Sequence, residues 1–317
     1  MGREAQQAQV DKRRHARRVT RQGRSLRSHL ITSKLHMRYC QAVSRVLTFW
    51  DELPQGPTGL GDIDFFTGLW LEHLFAEGFP KGHASDGLAA LQHFLPEACG
   101  RLRNSWRLLK TWQRMEPPLR ALPLSPLMVL GFAGACVRLG CLPAAAAMLV
   151  GFNTMLRPGE MYQLKVSDIT WAGNQAALAL HKTKTGQRKG ATELVVCRSH
   201  LANFWLLRAS QTRPPNSVLL DGPPEKFRAL FFYLLAHFSI AGYFTMYSFR
   251  RGGATWDFLT SHSMEQTLLR GQWQSSSTAR IYLQDAAATL AHLQLTPQQQ
   301  SELRSMSQYL TCGASGR

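Results

Sequence analysis

The sequence is short of acids: 20 Asp and Glu face 37 Lys and Arg, a formal charge of +17 at neutral pH. Paired cysteines are also missing. Cys40, Cys99, Cys136, Cys141, Cys197 and Cys312 are scattered, with no C-x-x-C pair and no histidine partner at finger spacing. That argues against a disulfide framework or a structural zinc and fits a reducing compartment. No apolar run is an unbroken membrane span, because Arg138, Gly140 and Pro143 divide Leu127 to Leu156 into two pieces of soluble-core length. Two packed helices and no membrane partner are expected. The N-terminal residues are charged rather than apolar, which argues against a secretory signal, and Gln6 departs from the myristoylation pattern. These absences together predict an intracellular protein, nuclear in a eukaryote and otherwise cytoplasmic or nucleoid-associated.

The chain is nevertheless 44% hydrophobic over 317 residues, enough for a buried core and for two domains. Its basic excess is not confined to a tail. The first forty residues hold eleven Lys and Arg against two acids, a net of nine, and the other eight positive charges spread over the rest. A charge of that kind favours a polyanion, because phosphate neutralisation with release of counterions supplies most non-specific affinity.

Residues 1–36 read as a Gln/Arg-rich arm around Lys12-Arg13-Arg14-His15-Ala16-Arg17-Arg18, either a solvated tail, a phosphate-binding arm or a nuclear import signal. A helical domain is expected over 37–120. Tyr39, Val43, Val46, Leu47 and Trp50 recur at helical spacing until Pro54 to Gly61. Asp62 is placed to cap a second helix through Leu74, a third lies near Leu88 to Phe94, and a fourth runs from about Ser105 to Met115, before Pro117-Pro118. Arg101, Arg103, Arg107, Lys110 and Arg114 cluster there, as a solvated face or as a surface for a duplex backbone.

The larger domain is expected over 121–292, mostly α with a small antiparallel β-sheet, an α+β fold. Apolar helices start at Leu127 and at Pro143, the latter a good first helical residue. Short β-type runs follow at Leu164 to Trp171, Ala176 to Lys182 and Ala191 to Val196. The last two form a hairpin with a basic tip, Thr185 to Gly190, that includes Arg188 and Lys189. Helical periodicity returns after Ser199, in Phe227 to Ala241, Ser248 to Thr260, Met264 to Arg270 and Ser277 to Leu290. Residues 293–317 read as a tail that is either a helix docking on a neighbouring protomer or a frayed end.

Three places stand out chemically. Arg157 precedes Pro158, which disfavours helix at Arg157 and sets it at a helix boundary, with Glu160 near enough to orient its guanidinium. The run Thr245 to Thr255 opens a helix with Thr245 as a plausible N-cap, and a helix N-terminus beside Arg250 is a ready anion site. Gly252-Gly253 inside that helix costs roughly 1 kcal/mol per residue relative to Ala, so a close backbone approach is expected there. Tyr282 follows Trp273 in Gly271-Gln272-Trp273-Gln274-Ser275-Ser276-Ser277-Thr278-Ala279-Arg280-Ile281-Tyr282. A lone tyrosine is more often a packing residue than a nucleophile, and only its company argues otherwise.

That company is L-R-P-G-E, then L-K-V-S-D-I, a T-K-T hairpin strand, Y-S-F-R-R-G-G-A-T and G-x-W-x-S-S-x-x-x-R-x-Y, in this order. Together these motifs resemble those of the tyrosine recombinase and integrase family, over about residues 38–290. The helical domain before them resembles that family's core-binding, SAM-like domain, in helix order more than in residues. The resemblance implies a catalytic domain in which Tyr282 attacks a phosphodiester and forms a 3′-phosphotyrosyl bond. Arg157 and Arg250 would clamp the non-bridging oxygens, with Glu160 holding Arg157. Lys184 on the hairpin would protonate the leaving 5′-oxygen, with Lys182 a rival on the same strand face. Trp273 stands where the family often has histidine and is a variant that the family uses. Tyr247 departs from the family's usual histidine and cannot exchange protons near neutral pH as imidazole does. No cofactor is implied, because a phosphotyrosine conserves the bond energy for religation. The partners implied are double-stranded DNA and further copies of the chain, as a tetramer on DNA, and a mobile-element origin fits. Two alternatives stay open: a recombinase-fold DNA-binding protein without turnover, which Tyr247 favours, and a type IB topoisomerase, which the helical N-terminal domain disfavours.

Overall fold

The computed structural model describes residues 13–15, 18–19, 30–181, 192–280, 282–283 and 295–315. It divides into two compact units at Leu119/Arg120. Of the expected 1–36 arm, residues 13–15, 18–19 and 30–36 are described, and Ser33 to His36 belong to a helix rather than to the arm.

Among the described residues, the first unit carries α1 (Ser33–Asp51), α2 (Ile63–Ala76), α3 (Lys81–Phe94) and α4 (Arg103–Met115), with a 3-10 turn at Pro96–Ala98. Val46, Trp50, Trp70, Leu71, Leu88, Leu91, Leu109 and Trp112 form its core. Asp62 precedes α2 but does not cap it. Its carboxylate instead accepts from the Thr58 backbone N–H and hydroxyl, at 3.0 and 2.8 Å. The working cap is Asp64, from within α2, which accepts from the N–H groups of Asn104 and Ser105 at 2.8 and 2.9 Å. Those are orphan donors of α4, so this carboxylate joins two helices and offsets a helix dipole at once. The third helix starts at Lys81, well before the expected Leu88, because Ala84 and Gly87 extend its buried face. A Cβ on Gly87 would come within 2.3 Å of the Trp70 ring, so the glycine sets the approach of α3 to α2.

The second unit carries α5 (Pro126–Arg138), α6 (Leu142–Asn153), α7 (Pro158–Gln163), α8 (His200–Gln211), α9 (Pro224–His237), α10 (Tyr247–Ser261), α11 (Met264–Gly271), α12 (Ser276–Arg280) and α13 (Pro297–Ser315). Its antiparallel sheet, in the order β1-β2-β3, is β1 (Ile169–Ala172), β2 (Gln175–Leu180) and β3 (Glu193–Cys197). The apolar stretch does form the two helices α5 and α6, with Ser125 accepting from Met128 N–H and Pro126 in the first turn. A cap of this kind stabilises by about 1 kcal/mol. No helix of the described residues is long and apolar enough to cross a membrane.

Three expectations need correction. The run Leu164 to Trp171 is not one strand, since residues 166–168 turn as a 3-10 helix in which the Asp168 carboxylate accepts from Lys165 N–H at 3.0 Å. Of the helix expected over Ser277 to Leu290, the described part ends at Arg280, with Tyr282 in a turn whose N–H bonds the Ala279 carbonyl at 2.8 Å, and 284–290 lie outside the described residues. Of the two alternatives for the C-terminal segment, its described residues form the helix, packed within their own unit. α13 lies along α5, where Gly131 and Gly134 admit it so closely that a Cβ at Gly134 would stand 2.0 Å from the Met306 carbonyl oxygen.

Candidate active site

Arg157 stands in extended backbone, φ −70° and ψ 150°, as its following proline requires, and opens α7. The Glu160 carboxylate accepts from its backbone N–H at 2.7 Å and from its guanidinium at 2.5 Å. Glu160 is buried and the Arg157 side chain is 24% exposed, so the pair is fixed while the arginine's far edge stays reachable.

Arg250 is 2% exposed and has no carboxylate partner among the described residues. Its Nη1 donates to the Met155 carbonyl and its Nη2 to the Gly271 carbonyl, the latter at 2.6 Å. Both acceptors lie where helices end. α6 closes through Met155 at φ 53°, and α11 closes at Gly271, before Gln272 at φ 55°. The cation is therefore held by one carbonyl just past the end of α6 and one at the end of α11, on the negative side of both helices. Nε has no partner among the described residues. Burial first, and the nearby Arg157 charge second, lower the Arg250 pKa to about 10, which still leaves it protonated at neutral pH. Glu160, Tyr282 and Tyr247 act on it in the opposite direction.

The two aromatics complete the cluster. The Trp273 and Tyr282 rings lie 5.1 Å apart, and the Arg250 guanidinium sits 4.4 Å from the first and 5.5 Å from the second. Gly271 lies under Trp273 so closely that a Cβ there would be 1.9 Å from the indole. Tyr247 begins α10 and is 47% exposed. The cap at this end differs from expectation: Met246 holds the N-cap position, while the Thr245 hydroxyl accepts from Tyr247 N–H at 3.2 Å and Ser248 Oγ accepts from Thr245 N–H at 3.0 Å. The expected close approach at Gly252-Gly253 is present. A Cβ on Gly252 would be 2.2 Å from the Leu124 carbonyl oxygen, and one on Gly253 2.0 Å from that of Phe152.

Arg157, Glu160, Arg250, Trp273 and Tyr282 are thus brought to one place in the second unit, with Tyr247 at its rim. Lys182, Lys184, Arg188 and Lys189 lie outside the described residues, although β2 and β3, which lead to them, pair antiparallel from Ala176↔Cys197 to Leu180↔Glu193. Arg101, Arg103, Arg107, Lys110 and Arg114 are exposed in the first unit, the last four on one stripe of α4, opposite its buried Ser105, Leu109 and Trp112. Arg251, not among the residues singled out in the sequence, also stands here, with its guanidinium 5.8 Å from the Tyr282 ring and donating to the Ala121 carbonyl at 3.0 Å. The adjacent arginine in the R-R pair was visible, but nothing local ties it to Tyr282.

No protein-family model and no curated protein matches the sequence. Among solved structures, the chain is similar to a lambda integrase tetramer bound to a Holliday junction (16% identity, TM-score 0.57, 83% of this chain and 74% of that one). It is similar to the Tn1549 transposon integrase in complex with transposon right end DNA (11% identity, TM-score 0.56, 88% and 97%). It is also similar to a lambda integrase dimer bound to a COC′ core site (16% identity, TM-score 0.55, 82% and 74%). The chain therefore has the mostly-α tyrosine recombinase fold.

Proposed function

We propose that the protein is a tyrosine recombinase or integrase that cuts and rejoins double-stranded DNA through a 3′-phosphotyrosyl intermediate on Tyr282. The observation that carries this reading is the convergence of Arg157, Arg250, Trp273 and Tyr282, distant in sequence, on a fold similar to DNA-bound integrases. Tyr282 supplies the nucleophilic oxygen. Arg157 and Arg250 face charge that builds on the non-bridging oxygens in the transition state, and their carboxylate and carbonyl tethers preorganise them so that little reorganisation is needed. Trp273 holds the Arg250 and Tyr282 side chains against each other. Lys184, or its neighbour Lys182, protonates the leaving 5′-oxygen. Tyr247 donates a hydrogen bond where an imidazole would otherwise work. The exposed stripe Arg103, Arg107, Lys110 and Arg114, with Arg101 beside it, engages the duplex backbone in the first unit, and Arg188 and Lys189 do so from the hairpin tip. The 37–120 region serves as the core-binding domain and 121–292 as the catalytic one. Assembly on DNA as a tetramer, a mobile-element origin and an intracellular, in a eukaryote nuclear, location complete the proposal.

The test uses nicked suicide duplexes, with wild type and Tyr282→Phe compared by denaturing electrophoresis. A covalent adduct from wild type alone supports the reading. If neither protein forms an adduct over a broad library of sites while both bind duplex DNA, the protein is a recombinase-fold DNA-binding protein without turnover, as the departure at Tyr247 would favour.

A further inference from the structure

We infer that Asp257 and Arg270 form a positioning pair that builds the cradle for Arg250, an assignment that rests on the recombinase reading above. Arg250 depends on two carbonyls, at Met155 after α6 and at Gly271 ending α11. These acceptors come from segments more than a hundred residues apart, and neither lies in regular helix hydrogen bonding that would fix it relative to the other. Something must hold the two helix ends together, and Arg270 does so. Its Nη2 donates to the Asn153 carbonyl at 2.8 Å, two residues before Met155, and Arg270 itself immediately precedes Gly271. Its Nη1 is bound by the Asp257 carboxylate.

Asp257 is 5% exposed and lies two helical turns beyond Arg250 on the buried face of α10. Its other oxygen accepts from the Thr267 hydroxyl at 2.9 Å, so both carboxylate oxygens hold α11. Helix α10 therefore makes two parallel cross-links to the same neighbour, Arg250 to Gly271 and Asp257 to Arg270 and Thr267. Arg270 then returns to α6, so that α6, α10 and α11 close into one ring of polar bonds beneath Trp273. An ion pair of this kind adds little to stability compared with apolar packing, whereas its three bonds tie α11 to both α10 and the end of α6. Here the arrangement specified is the spacing of the two carbonyls that aim Arg250. Neither Asp257 nor Arg270 touches Tyr282 or Trp273 in any ring or hydrogen-bond contact among the described residues, so the pair acts through Arg250.

The test compares Asp257→Asn, Arg270→Lys and Arg250→Ala with wild type in full-length protein. Arg270→Lys keeps the charge and its pairing with Asp257, and so guards against simple unfolding, but one ammonium cannot bridge both acceptors in the fork geometry of guanidinium. Single-turnover cleavage of a suicide duplex at saturating protein is measured on a normal phosphodiester and on a methylphosphonate, in which a methyl group removes the negative charge that Arg250 serves. On the normal substrate, Asp257→Asn and Arg270→Lys should each slow cleavage roughly 100-fold, the loss expected for a misplacement of about 1 Å. Duplex Kd should change less than about threefold, the share of one contact in a broad basic footprint. On the neutral substrate their deficit should shrink towards wild type, as should that of Arg250→Ala. Equal slowing on both substrates, or no slowing on either, overturns the assignment. Absence of any adduct from wild type on the normal duplex would instead overturn the recombinase reading, and the assignment with it.

Discussion

Replacing Gly253 with alanine tests how tightly the site is tied to the packing of α10. A Cβ built there stands 2.0 Å from the Phe152 carbonyl oxygen, 3.0 Å from its carbon and 3.4 Å from Met155 Cγ. Real Cβ atoms keep about 3.0 Å or more from such neighbours, and a carbonyl at the end of α6 cannot rotate away, so α10 must retreat by about 1 Å. Overpacking of that size costs roughly 1–3 kcal/mol. The better helix propensity of alanine returns up to about 1 kcal/mol, leaving a net loss near 1–2 kcal/mol. For a unit of this size that lowers Tm by a few degrees, about 2–4 °C per kcal/mol. The effect on chemistry is larger, because Arg250 sits three residues earlier on the same helix and bonds the Met155 carbonyl. A shift of about 1 Å there should slow strand cleavage about 100-fold while leaving duplex binding nearly intact. Urea unfolding and single-turnover cleavage on the same preparation check both numbers. A variant as stable as wild type and equally fast would refute the close contact between α10 and α6.

Changing Arg103, Arg107, Lys110 and Arg114 together to glutamine should make the slope of log affinity against log salt shallower by about 3 to 4, since each phosphate contact contributes about 0.9. Because all four are exposed, stability should stay within about 0.5 kcal/mol, and an unchanged salt slope would remove the stripe from the DNA interface. Tyr247→His should raise the cleavage rate and introduce a pH dependence near pH 6.5, where imidazole titrates. A pH profile parallel to that of wild type would mean that position 247 does not reach the reacting phosphate.

Much of this site could be read from local rules. Pro158 dictates the backbone of Arg157, Glu160 sits within reach of it, and two glycines in a helix announce a close approach that Leu124 and Phe152 then supply. Other features depend on partners that no local pattern names. Asp62 has the position of a cap but spends its carboxylate on Thr58, while Asp64 serves a different helix forty residues away. Asp257 and Arg270 look like ordinary surface charges in an amphipathic pattern, and only the meeting of α6, α10 and α11 buries their contact. The path of α13 was hidden for the same reason. Gly131 and Gly134 mark a place where a backbone can approach, but nothing in them identifies Leu303 and Met306 as what approaches.

In the proposed reaction Tyr282, and not another tyrosine of this surface, becomes joined to DNA. Its most direct measurement is mass spectrometry of the protease-digested adduct formed on a suicide duplex, which reports both the modified residue and the polarity of the attached strand. A single phosphotyrosyl peptide containing Tyr282, linked to the 3′ end of the cut strand, is the expected product. Linkage through Tyr247, or to a 5′ end, would contradict it.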